Sequence, residues 1–209
     1  MRFLSAALLA FVLAAPASAA PITIVDTGPG SEESVWTLGE PGLQQSLAAQ
    51  FSVAAPVTVT SVEGWIESLS AENDASAIVS FSLYTDGGEL PGAPLFSQSL
   101  VLEPSAAGWL GPTGLSWTLA AGTYWVAFEA PAGSTFNGGM PAPSGGPLAD
   151  EAFKSLDTNF FWEEFDGLEL GVRILGQTED DGSVPVPEPG TLLLLGSGLA
   201  VIGRRRRRA

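Results

Sequence analysis

The 209-residue sequence contains no cysteine and no histidine. Without cysteine there is no disulfide, no thiol nucleophile and no cysteine-ligated zinc site. Without histidine there is no Ser-His-Asp triad and no imidazole metal site. The fold must therefore rest on its hydrophobic core, and about 165 residues outside the chain ends are enough for one such core. The sequence predicts one domain.

Basic residues are scarce over most of the chain. Between residues 20 and 188 the only cations are Lys154 and Arg173, whereas all 23 acidic residues lie in that range, which gives it a net charge of −21. Nucleic acid is excluded as a partner because phosphate binding needs concentrated basic charge. Anionic lipid surfaces are disfavoured for the same reason. Calcium would relieve the repulsion between the acids and is a candidate stabiliser.

The N-terminus has the three parts of a signal peptide. Arg2 supplies the positive charge, residues 3–15 are apolar, and Ala17, Ser18 and Ala19 form a small-x-small cleavage site. We predict that signal peptidase removes residues 1–19 by cutting after Ala19.

Three further features follow one another at the C-terminus: a proline-containing motif, an apolar stretch over residues 191–203 and a run of arginines. A helix of that apolar length spans ~20 Å, less than a hydrocarbon core of about 30 Å, but arginine side chains can extend the span. The positive-inside rule places the arginines in the cytoplasm and everything before Pro187 outside. An ordinary single-span anchor is the alternative. The arginines are Arg204, Arg205, Arg206, Arg207 and Arg208.

This C-terminal arrangement resembles the PEP-CTERM sorting domain of exported bacterial proteins. The resemblance implies that Pro187, Glu188 and Pro189 form the element recognised by the membrane enzyme exosortase, which removes the tail near them. It also implies transient anchoring in the inner membrane. The destination would then be the cell surface or the exopolysaccharide matrix of a Gram-negative bacterium.

The region between the two ends has the pattern of an all-β protein. Residues 78–84, 115–119 and 168–174 alternate apolar and polar side chains, as half-buried strands do. Further strand-like runs cover residues 57–65, 95–102 and 124–129, and turn-forming residues separate the strands, with one of the turns predicted at residues 137–139. We predict a single β-sandwich of jelly-roll type over residues 20–177, an acidic and proline-rich linker over 178–185, and the sorting signal with its transmembrane helix over 186–209.

The β-sandwich region also resembles exported bacterial β-sandwiches that carry interchangeable surface anchors. The resemblance rests on residues 61–65, 82–88 with the Pro91-Gly92 turn, and 120–126, which are turn and strand residues rather than chemical groups. It supports the fold prediction and implies no activity.

Tryptophans are the first candidates for ligand contact, because an exposed indole can stack on a sugar ring. Trp117 and Trp125 lie within strand patterns, where packing is the better interpretation. Trp65, Trp109 and Trp162 lie nearer to turns or charges and are possible ligand contacts.

The densest group of carboxylates is Glu163, Glu164 and Asp166, with Asp157 nearby. Its spacing does not match a calcium-binding EF-hand loop, so a solvated acidic surface is the better interpretation and a bound calcium the alternative. Two carboxylates could also hydrolyse glycosides, but with 23 acids a suitable pair arises by chance.

These observations predict a non-catalytic surface or matrix protein without a cofactor, sorted by exosortase and associated with exopolysaccharide. A carbohydrate-binding module is the alternative, and a glycan-active enzyme is a third hypothesis.

Overall fold

The computed structural model describes residues 21–31, 35–40, 42–72, 74–143, 148–165 and 167–178. These residues belong to one compact unit, Ala20–Glu179. The predicted signal peptide, sorting motif and transmembrane helix lie outside the described residues and stay predictions. The same holds for the predicted linker except its first residue, Thr178, which is the last residue of a strand. Within the described ranges, no helix has the length and apolar character needed to cross a membrane.

The described residues form two antiparallel sheets, and this confirms the all-β, sandwich-like prediction. The strands are β1 (Ile22–Asp26), β2 (Val35–Leu38), β3 (Ser46–Val53), β4 (Val57–Ser68), β5 (Ile78–Asp86), β6 (Pro91–Val101), β7 (Ala107–Leu110), β8 (Thr113–Leu119), β9 (Gly122–Glu129), β10 (Gly138–Pro141), β11 (Glu151–Lys154), β12 (Glu163–Glu164) and β13 (Val172–Thr178).

Sheet 1 is built around the long strand β4. The order β1-β13-β4-β10-β2 runs across it, and β7 and β8 also pair with β4. Sheet 2 has the order β12-β11-β3-β9-β5-β6. Strands β2 and β12 thus each end a sheet, and both have one edge without a strand partner among the described residues.

The main core lies between the sheets, where apolar side chains from alternate strand positions meet. Phe81 on β5 and Phe128 on β9 are fully buried there, with ring centroids 5.7 Å apart in an edge-to-face arrangement. Other members of this core are Leu47, Phe51, Val59, Val62, Ile66, Leu83, Val126, Val172 and Ile174.

A bulge in β4 decides which side chains face outward. The register against β13 shifts between Val59 and Ser61, which leaves Thr60 as an extra residue. Side chains alternate between faces with period two, so the extra residue exchanges the two faces of the strand. Val59 before the bulge and Val62 after it are both fully buried. As a consequence Glu63 and Trp65 lie on the outer face of sheet 1.

Three sequence predictions are wrong in detail. Pro91 and Gly92, which are predicted to form a turn, are the first residues of β6. The alternating run at residues 168–174 becomes a strand only from Val172, although Leu168 and Leu170 are buried. The glycines of the expected turn at 137–139 belong instead to β10, which pairs with β2 and β4. A Cβ atom on Gly138 would lie 2.2 Å from the Glu67 carbonyl oxygen, so this strand needs glycine to fit between its neighbours.

Candidate functional site

Two of the three candidate tryptophans form a pair on the outer face of sheet 1. Trp65 on β4 and Trp109 on β7 are direct cross-strand partners. Their ring centroids lie 5.4 Å apart with the ring planes at 83°. Such an edge-to-face pair is favourable in its own right. The pair therefore stiffens the junction of β4 with β7 and presents partly exposed indole surface.

Arg173 on β13 joins this pair. Its guanidinium carbon lies 4.4 Å from the ring centroid of Trp109, and its Nε donates a 2.6 Å hydrogen bond to the Glu63 carboxylate. Arg173 and Glu63 are themselves cross-strand partners. We call Glu63, Trp65, Trp109 and Arg173 the Trp–Arg cluster. One face of the Trp109 ring is occupied by the guanidinium, which limits the ring surface left for a ligand.

The third candidate, Trp162, lies on the outer face of sheet 2. It belongs to a similar cluster, in which a cation contacts both a tryptophan ring and a carboxylate. The Nζ of Lys154 lies 4.3 Å from the Trp162 ring centroid and forms a 2.5 Å ion pair with Glu129. The Tyr84 hydroxyl donates a 2.9 Å hydrogen bond to the same carboxylate. Burial and the adjacent Glu129 carboxylate raise the pKa of Tyr84. We call Tyr84, Glu129, Lys154 and Trp162 the Trp–Lys cluster.

Lys154 and Arg173 are the only cations between residues 20 and 188, and each has both a carboxylate partner and a tryptophan ring. The side chains of both ion pairs are largely withdrawn from solvent. The positive charge of the region is thus used to neutralise two partly buried carboxylates. An anionic ligand would have to compete with Glu63 or Glu129 for its cation.

Trp162 also covers a small second core. Trp125 is fully buried beside Ala48, Ala127 and Ala152, with Trp162 packed against them. The indole Nε1 of Trp125 donates a 3.2 Å hydrogen bond to Asp86. The prediction that Trp125 packs is confirmed, although it packs on the outer face of sheet 2. The prediction for Trp117 is also confirmed, because its ring is partly buried and stacks on Phe96 at 5.4 Å.

The acidic group predicted near residue 163 is only partly described. Glu163 and Glu164 form β12 and are exposed, Asp157 is exposed, and Asp166 lies outside the described residues. Across the described part of the chain, no three acidic side chains come together as a metal-binding group. Calcium binding and the solvated surface both stay predictions.

A carboxylate outside this acidic group has a shifted pKa. Partial burial, together with the nearby carboxylates of Glu169 and Asp150, raises the pKa of Glu151 to about 7. This pKa shift was not predictable from the sequence, because Glu169 comes close to Glu151 only through the loop before β13.

The structure also contains an aromatic pocket that sequence analysis missed. A cavity of about 320 Å³ opens where the end strands β2 and β11–β12 of the two sheets approach each other. Three of its walls are aromatic rings. The ring centroids of Trp36 and Phe165 lie 5.3 Å apart with the ring planes at 70°, and those of Phe153 and Phe165 lie 5.8 Å apart with the planes at 88°. The lining residues are Val35, Trp36, Thr37, Gln45, Phe153, Phe165 and Leu168. They come from separate segments, so no local motif could reveal the pocket.

Comparison with known proteins identifies the C-terminal segment. Residues 185–208 match the family model described as PEP-CTERM protein-sorting motif. The comparison with curated proteins gave no significant match. The matched range contains Pro187, Glu188 and Pro189 together with the apolar stretch and the arginines. The chain therefore carries the PEP-CTERM sorting motif and is an exported, exosortase-sorted protein of the cell surface.

Proposed function

We propose that this protein is a non-catalytic component of the bacterial surface or extracellular matrix, held there by association with exopolysaccharide. The observation that carries the proposal is the sorting motif at residues 185–208, because it directs the domain to the compartment where such polymers are found. Exosortase and signal peptidase are its partners during export, and its host is Gram-negative. The inner membrane holds it only until the tail is cut.

The composition of the domain supports a binding role rather than a catalytic one. The whole chain lacks the two residue types, histidine and cysteine, that most often act as general base and nucleophile. A domain with a net charge of −21 would repel a polyanion, so the polymer we propose is uncharged. Aromatic side chains, which contact the apolar faces of sugar rings, are partly exposed on both sheets.

The experiment is performed in the native host. Replacing Pro187, Glu188 and Pro189 by alanine should shift the protein from surface material to a longer, membrane-retained form. Intact mass should show that the wild-type surface protein has lost Arg208. Surface protein that still contains Arg208 would contradict exosortase processing.

The polysaccharide part of the proposal has a separate test. Digestion of the matrix with glycan hydrolases should release the wild-type protein, whereas proteolysis of other surface proteins should not. Release by the protease alone would indicate a protein anchor instead.

A carbohydrate-binding module is the second candidate, and the Trp65–Trp109 pair on the outer face of sheet 1 favours it. Such a module binds isolated glycans without other matrix components. Trp65→Ala would then weaken binding of the purified protein to a soluble glycan, and Leu69→Ala, a change at an exposed apolar residue of the loop after β4, is the matched control. A glycan-active enzyme would instead release reducing ends during the same incubation.

A further inference from the structure

We propose that the aromatic pocket is a binding subsite for one uncharged pyranose unit of a glycan. The inference rests on the proposed association with exopolysaccharide. It assigns the sugar contact to a site separate from the Trp–Arg cluster, because β10 lies between β4 and β2 in sheet 1. The pocket lies beside β2, which ends sheet 1, and β12, which ends sheet 2. A chain of sugars could therefore continue past the pocket at either side.

The shape and apolar character of the pocket match a sugar ring. Trp36, Phe153 and Phe165 meet edge to face, so their rings stand as walls at steep angles to one another rather than closing the space by stacking. Val35 and Phe165 are 49% and 40% exposed. Exposed apolar area of this kind is unfavourable in water, and covering it with the C–H face of a pyranose would recover part of that free energy.

The polar groups of the pocket suit hydroxyl groups. Thr37 supplies a hydroxyl and Gln45 an amide, which together offer both donors and acceptors. Neither side chain has a hydrogen-bond partner within the described part of the chain. Two 2.9 Å backbone hydrogen bonds with Gly39 fix the Cα atom of Gln45, so its unpaired side-chain amide starts from a fixed position at the pocket.

Charge and size decide between possible occupants. None of the described residues that line the pocket is charged, and the exposed Glu163 and Glu164 precede Phe165 in the chain. A uronic acid would be repelled by these carboxylates and by the charge of the domain. A second copy of the chain is also disfavoured as the occupant, because Glu163 and Glu164 of both copies would then lie close together. A volume of about 320 Å³ lies at the lower end of the range for small-molecule sites, which suits a single ring.

The test uses the processed protein recovered from the surface of its native host, with the variants introduced by allele replacement. Binding is measured by retardation in native gels containing dextran, a neutral glucan, or alginate, a polyuronate. Phe165→Ala and Gln45→Ala change two partly exposed residues, and circular dichroism checks that each variant keeps the wild-type fold. Phe161→Ala is the matched control, because Phe161 is 73% exposed just before β12, whereas Phe165 directly follows β12, and Phe161 does not line the pocket.

We expect the wild type to be retarded by dextran and not by alginate. Phe165→Ala should weaken dextran binding about tenfold and Gln45→Ala about threefold, the sizes that follow from one aromatic contact and one neutral hydrogen bond. Phe161→Ala should bind as the wild type does. Equal losses in Phe161→Ala and Phe165→Ala would overturn the pocket proposal, since they would indicate general adhesion of the exposed aromatic residues on both sides of β12.

The two proposals fail differently. If the wild type binds dextran and both pocket variants bind it equally well, the pocket is overturned and the association with glycan stands. If hydrolases do not release the protein from the matrix and no glycan retards it, the proposed function fails as well. Sedimentation that shows a dimer in the wild type and a monomer in Phe165→Ala would assign the pocket to a second copy and overturn the sugar subsite.

Discussion

Arg173 and Glu63 are cross-strand partners on β13 and β4, and their 2.6 Å ion pair lies beside the ring of Trp109. The pair is mostly shielded from solvent, with side-chain exposures of 28% for Arg173 and 14% for Glu63. Removing only the cation would leave a poorly hydrated carboxylate, whereas removing both charges would not. The cluster is thus a unit in which each member depends on the others.

We expect Arg173→Ala to lower the free energy of unfolding by about 1–3 kcal/mol, because it removes a charged hydrogen bond and the contact with Trp109. Adding Glu63→Gln should restore part of this loss. Urea denaturation of the two single variants and the double variant measures the coupling. Strictly additive effects would show that the ion pair contributes little.

Deleting Thr60 should preserve the fold. Without the extra residue β4 would pair with β13 in a regular ladder, and simple alternation would keep Val62 and Ile66 inward. Deleting Glu63 instead would place Val62 and Ile66 on opposite faces of the strand, so that one of them would leave the core. We expect the second deletion to lower the free energy of unfolding by about 2–5 kcal/mol more than the first, the scale of a lost large apolar side chain. Urea denaturation compares the two variants, and equal losses would contradict this role of the bulge.

Glu151 should make the protein less stable as pH rises through the weakly acid range. Its pKa is raised from 4.5 to about 7 in the folded state, so the folded protein binds more protons than the unfolded chain between these values. The stabilisation is complete below about pH 4.5 and is lost as pH approaches 7. The free energy of unfolding of Glu151→Gln, taken relative to that of the wild type, should therefore be higher at pH 8 than at pH 5.

Asp74 provides a comparison of opposite sign. Hydrogen bonds from the Thr135 side chain and the Ser76 backbone lower its pKa, so its contribution is present above the unfolded pKa of 3.8 and is lost only in stronger acid. The change in the free energy of unfolding caused by Asp74→Asn should consequently be the same at pH 5 and pH 8. Urea midpoints for both variants at these two pH values test the pair of predictions, and a Glu151→Gln difference that is independent of pH would contradict the first.

The net charge of −21 predicts a dependence on salt. We expect sodium chloride at ionic strengths near 0.1 M and above to raise the melting temperature, because it screens repulsion over a Debye length of about 8–10 Å. Millimolar Ca²⁺ at constant ionic strength tests binding near Asp157, Glu163 and Glu164. A further rise would support a calcium site there, because only a ligand that prefers the native state adds stability. An unchanged melting temperature would leave a plain acidic surface.

The sequence predicted those parts of the fold that depend on local patterns. The alternation at residues 78–84 lies in β5 and that at 115–119 in β8, since a half-buried strand imposes period two on its own residues. The bulge at Thr60 was not predictable, because it is defined by the register against β13 and β8. The same applies to Gly138, whose role depends on how closely its neighbours approach.

The candidate site was predictable to a smaller extent. Sequence position predicted the packing of Trp117 and Trp125, but it could not indicate that Trp65 meets Trp109 while Trp162 lies on the other sheet. Trp36 and Phe165 are more than a hundred residues apart, and only the approach of β2 to β12 brings their rings within 5.3 Å. Contacts between sheet edges leave no periodic trace in either segment.

Gly139 of β10 influences the shape of the aromatic pocket. It pairs with Thr37, and a Cβ atom on it would lie 2.4 Å from a methyl carbon of Val35. Even alanine would displace the side chain of Val35, which lines the pocket. The position of this wall therefore depends on Gly139 having no side chain. Related proteins could acquire wider or narrower pockets through this one position while every polar and aromatic group that lines the cavity stayed the same.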